Sequence, residues 1–174
     1  MQTDTEQQLT QQILAGDTRA YGEIINRYKN ALYYHCFAIT RNEALAEDAA
    51  AEALTAAFYA LDSYDTNRRL STWLFKIATN KALDQLRKKR KHKVLDECVI
   101  ERIASIAPEP QVEAEYGELH TAVGMLRPEY RSVVSLHYWQ GLSCEDISKV
   151  MQKPQGTIKS WLKRAKAELR KELA

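Results

Sequence analysis

GLSCEDISKVMQKPQGTIKSWLKRAKAELRKELA, residues 141–174, reads as two short helices around a proline-containing turn, the second of them basic. Ser143 is placed to cap the first helix. Its hydroxyl can accept from a free backbone N–H of the first turn, and Asp146 follows at a capping-box-like spacing. Ile147, Val150 and Met151 recur at i, i+3 and i+4 and give that helix one apolar face. Pro154 biases Lys153 away from the helical region, which predicts the end of the helix about there. In the second helix Ile158, Trp161, Leu162, Ala165 and Leu169 make an apolar stripe, while Lys159, Lys163, Lys166 and Arg170 make a basic one. A basic stripe alone is commonly a solvated face. On a second helix behind a tight turn, it occupies the place of a DNA-reading surface, so the segment predicts a helix-turn-helix in contact with DNA.

The rest of the chain sets the context. Its 174 residues are 45% hydrophobic and 28% charged, an ordinary soluble composition with room for one or two domains. Six glycines and four prolines are too few for a loop-rich β protein. No apolar run approaches membrane-spanning length, and the opening MQTDTEQQLTQQ is polar and acidic, so neither membrane insertion nor a signal peptide is expected. Cys36, Cys98 and Cys144 are far apart and odd in number, without metal-ligand spacing. Free thiols in a reducing cytoplasm fit them, and neither metal nor cofactor is expected.

The net charge of +2 conceals an alternation. Residues 1–67 carry 4 Lys/Arg against 10 Asp/Glu, and residues 68–93 carry 10 against 1. Residues 94–152 return to 4 against 10, and residues 153–174 carry 7 against 2. Two basic blocks separated by acidic ones suit two nucleic-acid contacts better than one evenly solvated surface.

Helical periodicity runs through nearly all of the chain. Tyr21, Ile24, Ile25, Tyr28, Leu32, Cys36 and Ile39 share one face, and Asn42 can cap the next helix, expected to reach about Leu61. In that helix Leu54, Ala57, Phe58 and Leu61 are expected inside, with Asp48, Glu52, Thr55 and Tyr59 outside. SYDTNRRL (63–70) is turn-like, after which Ser71 is expected to cap a long helix. From Leu95 to about Gln111 the pattern weakens around Pro108-Glu109-Pro110, with a short turn possible at Val99, Ile100 and Ile103. Val112, Tyr116, Leu119, Val123 and Leu126 restore it, and Pro128 starts a helix over Glu129–Trp139 that Gly141 ends. The fold class expected is therefore all-α. Two small helical domains, residues 1–95 and 112–174, are joined by a flexible linker over 96–111, and the second is the helix-turn-helix.

The long helix after Ser71 carries two faces. Leu74, Phe75, Ala78, Ala82 and Leu86 fall on the half expected in the core. Trp73, Lys76, Asn80, Asp84, Arg87 and Lys91 form a continuous stripe on the other. Cations hold phosphates, Asn and Asp can read base edges, and an aromatic can stack on an unpaired base. The competing reading puts Trp73 in the core and pairs Asp84 with Lys88 at i+4.

LSTWLFKIATNKALDQLRKKRK resembles the promoter-melting and −10-recognition helix of bacterial RNA polymerase sigma factors. LRPEYRSVVSLHYWQGLSCEDISKVMQKPQGTIKSWLKRAKAEL resembles their −35-binding domain. The two-domain layout is similar to the extracytoplasmic-function (ECF) group, and the likeness runs from AYGEIINRY (20–28) to the end. It implies that the acidic helix after Asn42 docks on the largest polymerase subunit through Glu47, Asp48 and Glu52. It implies that the loop before the long helix, with Asn67 and Arg68, captures a flipped −10 base beside Asn80 and Asp84. It also implies −35 contacts by Gln155, Thr157, Lys159, Ser160, Lys163 and Arg164. Core RNA polymerase, promoter DNA and an anti-sigma factor are the partners implied. The chain departs from the family pattern at Ala51, where Gln is usual, and at Leu54, where a large aromatic is usual. It departs again at Trp161, where Arg is usual, and at Arg127, where Pro is usual.

Two other functions compete. A stand-alone helix-turn-helix regulator would use residues 1–95 to sense a ligand or dimerise; the stripe with Trp73 argues against it. An enzyme would need a site, but His35, His92, His120 and His137 are scattered, and no nucleophile motif or phosphate loop appears. His35 and His137 lie in apolar helices, which suits core or interface histidines.

Overall fold

The computed structural model describes residues 2–96 and 117–173. Residues 97–111 of the expected linker, with Val99, Ile100, Ile103 and Pro108-Glu109-Pro110, lie outside them, as do Cys98, Val112 and Tyr116. Among the described residues every regular element is helical: α1 Gln2–Leu14, α2 Ala20–Thr40, α3 Glu43–Tyr59, α4 Leu70–Asp96, α5 Gly117–Met125, α6 Pro128–Val134, α7 Cys144–Met151 and α8 Gln155–Glu172.

α2 is the central post. Tyr21, Ile24, Tyr28, Leu32, Cys36 and Ile39 are all buried along its expected face. Arg41 adopts a left-handed conformation (φ 55°) and its N–H bonds Phe37 O, which ends the helix. Asn42 then caps α3 as expected, its side chain accepting from Leu45 N at 3.0 Å. The inner face of α3 differs in part from expectation: Ala57, and Leu61 just beyond the helix, are buried as expected. Ala46, Ala49, Ala50, Ala53 and Ala57 are its buried residues, while Leu54 and Phe58 sit half-buried at the edges. Small side chains let α3 lie close to both α2 and α4, and larger groups are pushed to the flanks. α1, which polar composition left uncharacterised, packs Leu9 and Ile13 into the core. It is pinned where Tyr28 Oη donates to Glu6 Oε1 at 2.6 Å.

Three boundaries shift. α4 begins at Leu70, which is buried, so Ser71 lies in its first turn and is not its cap. The helix after Pro128 is α-helical only to Val134, then widens into a π-helical stretch, Ser135–Trp139, in which Gln140 N bonds Ser135 O at 3.1 Å. α7 stops at Met151, because Gln152 turns left-handed (φ 52°) two residues before Pro154. At its start, Ser143 Oγ accepts from Asp146 N at 3.1 Å and donates to Asp146 Oδ2 at 2.8 Å.

The two halves share a core. α6 lies against α2 and α7 against α4. Leu136, Ile147, Val150 and Ile158 join the same buried cluster as Leu32, Ile39, Leu74 and Phe75. Two buried polar residues cross this seam. His35 is fully enclosed, with Nε2 2.8 Å from Thr79 Oγ1 and Nδ1 3.0 Å from Ser135 Oγ. Thr79 already donates to Phe75 O at 2.6 Å, so it accepts from His35 Nε2–H, and Ser135 donates to Nδ1. Burial pushes the imidazole down to about 3, which keeps it neutral at physiological pH. Arg131 is the second. Its Nη2 donates to Ile39 O at 2.6 Å, and its Nη1 donates to Gly124 O at 3.0 Å and Leu126 O at 2.9 Å. Burial lowers this guanidinium to about 10, leaving it charged near neutrality.

Candidate nucleic-acid interface

α8 is held by Ile158, Leu162 and Ala165, all buried, which fixes the opposite face toward solvent. Pro154 occupies the N-cap in an extended conformation and starts the helix at Gln155. Gln155, Lys159, Lys163 and Arg164 are exposed; Thr157 and Ser160 are half-buried at the edge of the same surface. Among the described residues, Lys159, Lys163 and Arg164 make no ion pair, so their charges are available to phosphates. Lys166, further along the stripe, leans over the Tyr138 ring at 5.6 Å. Trp161 points inward. It packs against both buried clusters, 6.4 Å from the Tyr130 ring, so the residue that replaces the usual Arg serves packing.

The stripe on α4 is split between solvent and core. Asn80, Asp84 and Arg87 are exposed and Lys76 is half-buried. The side chain of Lys91 is not among those described. Trp73 is half-buried with its ring 5.0 Å from that of Tyr64, so it braces the loop. Asp84 pairs with Arg87 at 2.7 Å, not with Lys88 as the competing reading had it.

The loop ahead of α4 has an organiser that sequence reading passed over. Asp65 Oδ1 accepts from Asn67 N at 3.0 Å and from Asn67 Nδ2 at 3.1 Å, and its Oδ2 accepts from Arg68 Nε at 3.2 Å. The Asn67 backbone bond is foremost in holding the Asp65 carboxyl below the usual carboxylate range. The signal was present: Asp two residues before Asn in a polar run is an Asx-turn pattern. Tyr64 is buried beneath, and its hydroxyl donates to Arg68 O. Gln7 of α1 donates to Thr66 O at 3.1 Å. Asn67 and Arg68 are therefore exposed on a braced turn.

The acidic face lies on α3. Glu47, Asp48 and Glu52 are exposed together with Thr55 and Tyr59. Glu52 is engaged by α4, through Lys81 Nζ at 3.1 Å and Gln85 Nε2 at 3.2 Å. Glu47 and Asp48 make no ion pair among the described residues. A shallow groove of about 500 Å³ runs beside them, lined by Asp48, Ala51, Glu52, Thr55, Tyr59 and Lys81. No helix among the described residues is long and apolar enough to cross a membrane.

Residues 24–92 match the family described as Sigma-70 region 2, and residues 116–169 match Sigma-70, region 4. The chain is 34% identical to the ECF RNA polymerase sigma factor SigW of Bacillus subtilis, over 93% of each chain. It is 28% identical to the RNA polymerase sigma-H factor of Pseudomonas aeruginosa, over 98% of this chain and 94% of that one. The sigma factor RpoE of Bartonella quintana, solved in complex with the anti-sigma factor NepR, superposes with a TM-score of 0.76 at 25% identity, over 90% of this chain and 98% of that one. CnrH, solved with the cytosolic domain of CnrY, has the same fold, with a TM-score of 0.73 at 24% identity over 97% of each chain. With two exposed basic helix faces on one all-α core and a relative of this similarity along its length, the chain belongs to the extracytoplasmic-function group of the sigma-70 family of RNA polymerase sigma factors.

Proposed function

We propose that this sigma factor divides promoter-directed initiation among three surfaces. α3 docks on core RNA polymerase through Glu47, Asp48 and Glu52. The braced turn with Asn67 and Arg68, together with Trp73, Lys76, Asn80, Asp84 and Arg87 of α4, reads and opens the −10 element. α8 reads the −35 element, with Lys159, Lys163 and Arg164 on phosphates and Gln155, Thr157 and Ser160 nearest the bases. The first domain spans residues 1–95 and the second 112–174. The protein works in the cytoplasm without catalysing a reaction itself. The Bartonella complex supports an anti-sigma factor as a further partner here.

The observation that carries this reading is the separation of charge by element. The acidic residues are exposed on α3 and the unpaired cations on α8. The test is run-off transcription with purified core polymerase on a promoter library. Discrete start sites that depend on the protein are expected. Tight, specific duplex binding without any effect on polymerase would favour a stand-alone regulator.

A further inference from the structure

A small polar cavity of about 210 Å³ opens where four segments distant in sequence meet. Glu6 comes from α1, Arg27 and Tyr28 from α2, Arg69 and Ser71 from the start of α4, and Gln140 from the turn after the π-helical stretch. The first three answer one another. Glu6 Oε1 accepts from Tyr28 Oη at 2.6 Å and lies 3.4 Å from Arg27 Nη1. The other three are unanswered: the side chains of Arg69, Ser71 and Gln140 make no hydrogen bond or ion pair among the described residues.

Charge, donors and size together fit an oxyanion. Arg27 offsets Glu6, which leaves the Arg69 guanidinium as one net positive charge on the cavity wall. A guanidinium takes phosphate oxygens through two parallel N–H donors. The Ser71 hydroxyl and the Gln140 amide supply neutral donors beside it. Ser71 also stands in the first turn of α4, where backbone N–H groups lack intrahelical acceptors and the helix dipole favours an anion. The volume equals about seven waters at ~30 Å³ each and falls below the roughly 300–1,000 Å³ of sites for drug-sized ligands, so the occupant is small. Ser71 precedes Asn80 by nine residues, about two and a half turns, and so faces away from the α4 stripe assigned to the −10 element. A phosphate that suits this cavity is not one that the stripe would grip.

We propose that this cavity binds the phosphate group of a small molecule, either inorganic phosphate or a short phosphomonoester, with Arg69 as the charged donor and Ser71 and Gln140 as neutral ones. The walls come together only in the folded chain, so occupancy stabilises the fold by mass action. The site is independent of how the promoter-reading surfaces are assigned.

The test is a phosphorus NMR titration of the full chain with inorganic phosphate, then with glycerol phosphate as the monoester, at constant ionic strength in chloride. Saturable binding is expected. Arg69→Gln should weaken it by about tenfold or more, the share of a charge-assisted bond, and Ser71→Ala and Gln140→Ala by roughly fivefold each. Lys171→Gln, which removes an exposed cation near the end of α8, should change nothing. Arg69 is exposed and Ser71 and Gln140 are half-buried, so the variants keep the fold. Phosphate at ten times its dissociation constant should raise the wild-type Tm by about 3–6 °C. The general stabilisation of any fold by phosphate is what remains in Arg69→Gln, and the excess over it belongs to the site. Binding that does not saturate, or that Arg69→Gln leaves unchanged, overturns the proposal. A loss in Arg69→Gln with none in Gln140→Ala places the anion on an isolated arginine outside the cavity and overturns it as well. Tighter binding of the monoester identifies the source as a phosphorylated compound, and equal affinity identifies free phosphate as the whole ligand; either supports the site. A single-stranded −10 oligonucleotide that displaces phosphate in a manner dependent on Arg69 and Gln140 assigns the cavity to DNA and overturns the small-molecule reading.

Discussion

His35 makes the stability of this protein depend on pH above the range in which carboxylates titrate. In the folded chain its imidazole is enclosed, and burial pushes it from the ordinary value of 6.5 down to about 3. In the unfolded chain the ring is free to take a proton at about 6.5. Between these values the unfolded state holds a proton that the folded state refuses. The contribution of His35 is therefore fully present above 6.5 and is lost progressively as pH falls toward 3, at about 1.4 kcal/mol per pH unit. From pH 7 to pH 5 the loss comes to about 2 kcal/mol, or a fall in Tm of about 4–8 °C for a chain of this size. Carboxylates, with unfolded values near 4, contribute little over that interval.

Urea unfolding at pH 7, 6 and 5 measures this loss directly. His35→Gln is the control, since Gln keeps a donor and an acceptor for Thr79 and Ser135 but has no titrating site. The variant should be less stable at pH 7 and nearly flat between pH 7 and 5. A wild-type loss below about 0.5 kcal/mol, or an equal loss in His35→Gln, would refute the assignment of a neutral, enclosed imidazole.

Three further outcomes are expected. Asp48→Lys, on the exposed face of α3 and without an ion-pair partner among the described residues, should weaken capture of core polymerase in a pull-down while leaving binding to a −35 duplex intact. Lys163→Ala should flatten the slope of log affinity against log salt by roughly one unit, the share of one phosphate contact; an unchanged slope removes Lys163 from the interface. Asp65→Ala frees Asn67 and Arg68 from their turn. Promoter opening, followed by permanganate footprinting, should fall by on the order of tenfold while −35 binding holds, and an undiminished footprint would detach the turn from −10 recognition.

Much of this architecture was legible because it is written in periodicity. The buried face of α2, the Ser143 and Asn42 caps and the two stripes of α8 each follow from local spacing, and local rules decide them. The errors came where packing between elements overrode local preference. Alanines have weak hydrophobic signals, so periodicity reads the inner face of α3 as Leu54, Ala57, Phe58 and Leu61; Ala57 and Leu61 are buried, but the close approach of α2 and α4 selects Ala46, Ala49, Ala50 and Ala53 and leaves Leu54 and Phe58 at the edges. Ser71 has the chemistry of a cap, yet burial of Leu70 extends the helix by a residue and leaves the hydroxyl without that role. Trp161 fits both the apolar stripe and a DNA-facing family position, and only Tyr130, about thirty residues earlier, decides for packing. The seam was invisible for the same reason. His35 meets Ser135 across 100 residues, and Arg131 meets Ile39 across 92. No spacing rule links positions so distant. A histidine within an apolar helix signals that some partner must exist without naming it, and an arginine beside Tyr130 and Ser132 carries no local sign of burial. The exposed acidic face of α3 and the exposed basic stripe of α8 follow from residue type and helical spacing, whereas the joint that holds the two halves together had to be seen folded.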